Sequence, residues 1–188
     1  MRNPNARFTD SDWTKFSHAL GILSDQKIHI YDKSGQTVNE IRAKVQQLRN
    51  DYPDDDLLVI IDYLQLIRSD TRFERKDIEV GEISRSLKEL ARAEKSPVVV
   101  LSQLSRGVEQ RQDKRPMMSD LRDSGAVEQD MDVGMFLYRD DYYNKDSNKQ
   151  NIVEVIIGKQ RNGPLGTVEL YFDRECSRFV SLAEDYET

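Results

Sequence analysis

Asp62 closes the apolar run "LLVII" (residues 57–61), and the polar pair Ser102–Gln103 closes a second run, "PVVVL" (residues 97–101). A carboxylate that ends a buried strand can hold magnesium, directly or through water, against the phosphates of a nucleotide; it can also serve simply as a helix cap or a loop carboxylate. An amide at the end of the next strand can orient water or sense a terminal phosphate without adding charge, or merely hydrogen-bond its own loop. Lys159 and Arg161 stand two apart where "NIVEVIIGKQ" runs into the turn "RNGPLG". Charge alone says no more of them than that hairpin tips are often polar. His18 and His29 have no partners at metal-ligand spacing, so no structural zinc is expected.

These residues need elements to position them. Thr9 with Asp12 and Thr37 with Glu40 read as helix N-caps, each followed by an apolar stripe: Trp13, Phe16 and Leu20, then Val38, Ile41, Val45 and Leu48. A short strand, "KIHIYD" (residues 27–32), is expected between the two helices. "DIEVGEISRSLKELARAEK" is a long amphipathic helix that turns Ile83, Leu87 and Leu90 inward. The unbroken apolar runs at 57–61 and 97–101 carry the pattern of parallel strands buried on both faces. Strands alternating with helices imply right-handed crossovers and an α/β domain. "DVGMFLYRD" adds a strand, and "NIVEVIIGKQ" with "GTVELYF" forms a closing hairpin at the sheet edge. Gly158, Gly163 and Gly166 are expected to give its tip turn conformations denied to other residues. Ligands of open parallel sheets bind beyond the carboxyl ends of the strands, so Asp62, Ser102 and Gln103 should face one crevice.

The chain has 188 residues and a net charge of −6, with 33% charged and 37% hydrophobic residues, enough for a packed core. That balance excludes a surface that coats nucleic acid everywhere but permits a local basic strip. Two polar segments leave the sheet after buried strands, Arg68 to Asp77 with a net +1 and Ser105 to Arg122 with a net +2. The first carries Arg68, Arg72, Arg75 and Lys76; the second Arg106, Arg111, Lys114, Arg115 and Arg122. Solvated loops explain such mild excesses as readily as nucleic acid does. Cys176 is the single cysteine, no apolar run approaches the roughly 20 residues of a membrane span, and the N-terminus lacks a secretory core, so a reducing cytosol is expected. Trp13, Phe16, Tyr171 and Phe172 read as core or half-buried aromatics; Tyr142 and Tyr143 could stack bases but read more simply as part of a mobile, polar hairpin loop.

"LLVIIDYLQLI", "EISRSLKELAR", "PVVVLSQLSRGVEQRQDKRPMMSDLRDSGAVEQDMDVGMFLYRDDYY" and "IIGKQRNGPLGTVELYF" together resemble the C-terminal, RecA-like motor domain of DnaB-type bacterial replicative DNA helicases. The likeness runs in order from about Phe8 to Leu182. It implies a P-loop NTPase core, ATP and Mg2+ as cofactors, single-stranded DNA in the channel of a homo-hexamer, and primase and a helicase loader as partners. It makes Asp62 the magnesium-associated carboxylate and Gln103 the glutamine that couples the γ-phosphate to DNA. By the same resemblance, Arg68 to Asp77 and the segment after Arg106 are channel loops, with Arg106, Arg122, Asp123 and Gly125 on the DNA backbone. Lys159 and Arg161 become the pair that reaches a neighbour's nucleotide, Arg161 as arginine finger.

The chain also departs from the family's pattern. No GxxxxGK followed by Ser or Thr occurs, and the only Gly-Lys, Gly158–Lys159, is followed by Gln. The glutamate of the next strand, the collar domain and the linker helix have no counterpart either. Residues 1–188 therefore read as one partial motor domain, expected to bind nucleotide poorly and to hydrolyse none by itself. Two other readings stand beside the helicase: a RecA-like recombination or repair ATPase, and a non-catalytic module that docks on intact subunits.

Overall fold

The computed structural model describes residues 8–121 and 125–182. The chain forms two compact units, Met1–Lys33 and Ser34–Thr188. The first contains helix α1 (Asp10–Ser24), opened by the expected capping box: the Thr9 hydroxyl accepts from the Asp12 amide while the Asp12 carboxylate accepts from Thr9. Phe8, Trp13 and Phe16 cluster with ring centroids 5.1–6.4 Å apart, yet α1 has no buried residue. The strand expected at 27–32 does not form: these residues join no sheet among the described residues, and a segment outside a ladder gains none of its bonds.

The second unit begins with helix α2 (Val38–Asp51), capped by Thr37 and Glu40 as the sequence predicts, and strand β1 (Val59–Ile61). Helix α3 (Lys76–Ala93) and strand β2 (Val98–Val100) follow, with β1 and β2 parallel and Ile61 opposite Val100. Val38 and Val45 of α2, Leu64, Ile67, and Val80, Ile83, Leu87 and Leu90 of α3 make the core, against which Val59, Ile61 and Val100 pack. The Arg49 guanidinium donates to the carbonyls of Asp55 and Glu94 and to the Ser96 hydroxyl at 2.7–3.0 Å, tying the segments that lead into both strands to α2. The parallel pair is thus covered on one face. Burial on both faces, expected from the apolar runs, does not occur: Ile60 and Val99 point away from the core and stay exposed.

After helix α4 (Gly125–Asp130), β3 (Val133–Tyr138) leads through a short helix, α5 (Asp140–Tyr143), to β4 (Ile152–Gln160), β5 (Gly166–Asp173) and β6 (Arg178–Ser181). They form a separate antiparallel sheet in the order β3-β4-β5-β6. The expected hairpin is therefore β4–β5, but it lies inside a sheet and not at its edge, because β6 pairs with β5. Gly158, Gly163 and Gly166 do not take positive φ, so turn conformation is not what they supply. At Gly158 the reason is room: a Cβ there would lie 2.7 Å from Phe136 Cε2, in a ring that is itself buried.

Candidate functional site

Asp62 is the first residue past β1 and is exposed. The turn that follows folds back on the end of β2: the Leu64 amide donates to the Leu101 carbonyl at 2.8 Å, and Leu101 donates to Ile61 at 2.9 Å. The Gln65 amide group then bridges to the neighbouring loop, donating to the Ser102 hydroxyl at 3.2 Å and accepting from the Gln103 backbone at 3.4 Å. Asp62 and Gln103 consequently leave adjacent parallel strands on the same side. Gln65 fixes that juxtaposition and was missed in the sequence, since nothing in "YLQLI" separates its glutamine from any other. The peptide between Asp62 and Tyr63 is cis.

Among the described residues no group of three His, Cys, Asp or Glu side chains could hold a metal unaided. One exposed carboxylate nevertheless fits Mg2+, which keeps several waters and takes its other oxygens from substrate phosphates.

The loop from Ser105 to Leu121 is closed at its base by a bridge between Leu104 and Leu121 and by the Ser105 amide on the Asp120 carbonyl at 2.8 Å. Inside it the buried Asp120 accepts two bonds from Arg111, at 2.8 and 3.1 Å, and one from the Met117 amide at 2.8 Å. Arg115 reaches out of the loop to β4, where Nε and Nη2 contact Glu154 at 2.7 and 2.9 Å. Its guanidinium lies 4.6 Å from the Tyr138 ring centre. Burial, with the Tyr138 hydroxyl's bond to Asp140, pushes that phenol up to about 12. Two of the cations counted in this loop, Arg111 and Arg115, are thus internal ties. Arg106 begins a 3-10 turn and is exposed. Gly125 is the first residue of α4, with nothing within 4 Å of its Cβ position; Arg122 and Asp123 lie outside the described residues. In the earlier loop Arg75 pairs with Asp77 and Lys76 with Glu79.

Lys159 lies within β4, opposite Gly134, and Arg161 follows the strand's last residue. Both side chains run to the C-terminal end of α4, whose last carbonyls lack helical partners and carry partial negative charge. Lys159 donates to the Glu128 carbonyl, and Arg161 donates to Gln129 at 2.6 Å and Met131 at 3.4 Å. Asp132 lies 3.5 Å from Arg161 and also binds Lys88 of α3; Lys88 first, and then Arg161, hold its carboxyl below the usual range.

A cavity of about 450 Å3 opens beside the loop, lined by Val108, Tyr138, Arg139, Tyr143, Phe172 and Phe179 among others. Tyr138 and Tyr143 stack in it at 5.9 Å, with Tyr143 closing α5 in the connection between β3 and β4 and still 41% exposed. The phenylalanine from β6 could not be anticipated, because that strand was not read from the sequence.

Residues 1–181 match the DnaB-like helicase C terminal domain. The chain belongs to this family. It is 54% identical over 182 residues to replicative DNA helicase DnaB of Geobacillus stearothermophilus, covering 96% of this chain and 40% of that protein. It is 53% identical to replicative DNA helicase DnaC of Bacillus subtilis, covering 95% of this chain and 39% of that protein. The chain spans about two fifths of the length of these relatives. Among solved structures, an ATPase domain superposes with a TM-score of 0.91 at 52% identity, over 94% of this chain and 62% of that one. A DnaB-like replicative helicase, solved with its interactions with primase, gives 0.92 at 50% identity over 97% and 45%. The DnaB-like fold agrees with the expected α/β motor class.

Proposed function

We propose that this chain is the part of an ATP-driven, ring-forming replicative DNA helicase motor that carries the Walker B carboxylate, the glutamine coupling nucleotide to DNA, and the cations lent to a neighbouring subunit. The observation that carries this reading is that Asp62 and Gln103 follow the ends of adjacent parallel strands, bridged through Gln65, in a chain of the DnaB-like family. Asp62 would hold Mg2+, directly or through water, and the ion would neutralise phosphate charge when bound. Gln103 lies at the head of a loop stiffened by Asp120 and Arg111, so movement at the glutamine would pass to Arg106 and onward to Gly125. Single-stranded DNA beside these residues, a homo-hexamer, primase and a helicase loader complete the reading, in the cytosol. No helix of the described residues is long and apolar enough to cross a membrane.

Lys159 and Arg161 act on phosphates bound by the next subunit. A cation at the transferring phosphoryl group stabilises its transition state, an effect worth about 10³-fold or more. The names of the relatives given above favour a helicase over a recombinase. The test is the Arg161→Ala change, made at the matching position of full-length Geobacillus DnaB. ATP hydrolysis should fall by about 10³-fold with the ring intact; turnover and unwinding near the unaltered level would refute the assignment.

A further inference from the structure

The loop from Ser105 to Leu121 and the strand that carries Lys159 are fastened to each other. The Arg115 guanidinium grips the buried Glu154 carboxylate of β4 through Nε and Nη2. Farther along the strand, Met118 of the same loop packs on Gly158, its sulfur 3.6 Å from the place a Cβ there would take. Side chains alternate along a strand, so Lys159 should point to the face opposite Glu154. A bulge prevents this: Lys159 pairs with Gly134 and Ile157 with Met135, which leaves Gly158 as the extra residue. The bulge brings Lys159 onto the face of Glu154 and Phe136, and its Cβ lies 3.5 Å from the Cβ position of Gly134. The loop and the cations therefore share one face of β4.

The loop is stiff as well as attached. Arg111 braces it through Asp120 and also donates to the Arg115 carbonyl at 2.8 Å. An apolar contact could hold such a loop to the sheet as firmly, but it would let the two slide, whereas a bidentate ion pair fixes both distance and angle. Lys149 holds Glu154 from another side at 3.1 Å, so the carboxylate is itself anchored. A displacement of the loop must then be carried into β4 and to the two cations at its end.

We propose that Arg115 and Glu154 are positioning residues for Lys159 and Arg161. Through this pair the loop beside single-stranded DNA sets where the two cations stand in the neighbour's nucleotide site, so DNA held by one subunit controls hydrolysis in the next. This route does not pass through Gln103. It rests on the roles proposed above for the loop, Lys159 and Arg161.

The test is Arg115→Gln at the matching position of full-length Geobacillus DnaB, alone and combined with Arg161→Ala, with ATP turnover measured with and without a single-stranded oligonucleotide. Glu154 keeps Lys149 in the variant, so rings by light scattering and oligonucleotide affinity by anisotropy should be unaltered. Turnover without DNA should also be unaltered, while the rise that the oligonucleotide produces is lost. Arg115→Lys, which can still donate to Glu154, should restore part of that rise. In the Arg161→Ala background, Arg115→Gln should remove nothing further, since both act on one element. An intact oligonucleotide response in Arg115→Gln, an equal fall with and without DNA, or a further loss in the Arg161→Ala background would each overturn the proposal. Unaltered turnover in Arg161→Ala alone would instead overturn the finger reading, and this proposal with it.

Discussion

Replacing Glu154 with Gln isolates one electrostatic tie at almost constant volume. Glu154 is 5% exposed on β4 and accepts from Arg115 at 2.7 and 2.9 Å and from Lys149 at 3.1 Å. Solvent-exposed pairs contribute about 0.2–1 kcal/mol, and breaking a fully buried pair costs about 3–5 kcal/mol. Here the acceptor is buried, while both cations are 41% exposed and keep part of their hydration. A loss of about 2 kcal/mol is therefore expected at pH 7, or a fall in Tm of about 4–8 °C for a domain of this size. Arg115, then Lys149, hold the Glu154 carboxyl below its ordinary value of 4.5. Its contribution is then complete above about pH 4.5 and is lost as the pH falls through the lowered native value, so the gap between wild type and variant should close in acid. The only tryptophan, Trp13, lies in the other unit, so far-UV circular dichroism or calorimetry must follow the transition. Arg115→Met combined with Glu154→Gln should be less harmful than the two single losses added, because neither charge is then left alone. A neutral-pH Tm within about 1 °C of wild type, or a gap unchanged between pH 7 and pH 3, would refute the reasoning.

Gly158→Ala should destabilise by about 1–3 kcal/mol in urea titration, since the new methyl meets the Phe136 ring at 2.7 Å. Gly166→Ala, with nothing within 4 Å, is its near-neutral control. Leu90→Ala at a fully buried position should cost about 2–5 kcal/mol, read from the same titration. Thr37→Ala removes the hydroxyl that accepts from the Glu40 amide and should cost about 1 kcal/mol in the same assay. The unmixed 188-residue chain should hydrolyse no ATP above background in a phosphate-release assay, because its sequence holds no phosphate-loop motif.

Helices α1 to α3 were legible because caps and apolar periodicity are local properties: Thr37 and Glu40 bond three residues apart, and Ile83, Leu87 and Leu90 recur at helical spacing. That Asp62 and Gln103 leave adjacent parallel strands at the same end was legible from strand order, since each follows an apolar run and parallel neighbours end on the same side. Sheet membership was not legible. "KIHIYD" has strand composition, but a strand needs a ladder to join, and among the described residues it joins none. The second face of β1–β2 failed for the same reason: periodicity records what a segment could bury, not whether its cover lies within the same residues. Charge counts misjudged the loop after Ser105 because Glu154, which takes Arg115, lies 39 positions away.

Lys159 and Arg161 were expected at the tip of a closing hairpin at the sheet edge, and the geometry gives them a firmer base. Lys159 sits in a strand laddered to β3, and Arg161, whose amide donates to Asp132 at 2.9 Å, leaves that strand at a fixed point. Both heads rest on neutral carbonyls of α4. A cation bonded to a carbonyl gives up less on leaving than it gains from a phosphate oxygen, because charge-assisted bonds are roughly twice as strong. If the two cations reach a neighbour's nucleotide as proposed, the α4 carbonyls would hold them in register without competing for them, whereas a carboxylate at the Gln129 carbonyl position would trap them. Asp132 lies 3.5 Å from Arg161 and is already bound to Lys88. Lys88→Ala in the full-length relative should release Asp132 to bind Arg161 more tightly and lower ATP turnover with the ring intact. Unchanged turnover with an intact ring would show that Asp132 does not restrain the finger.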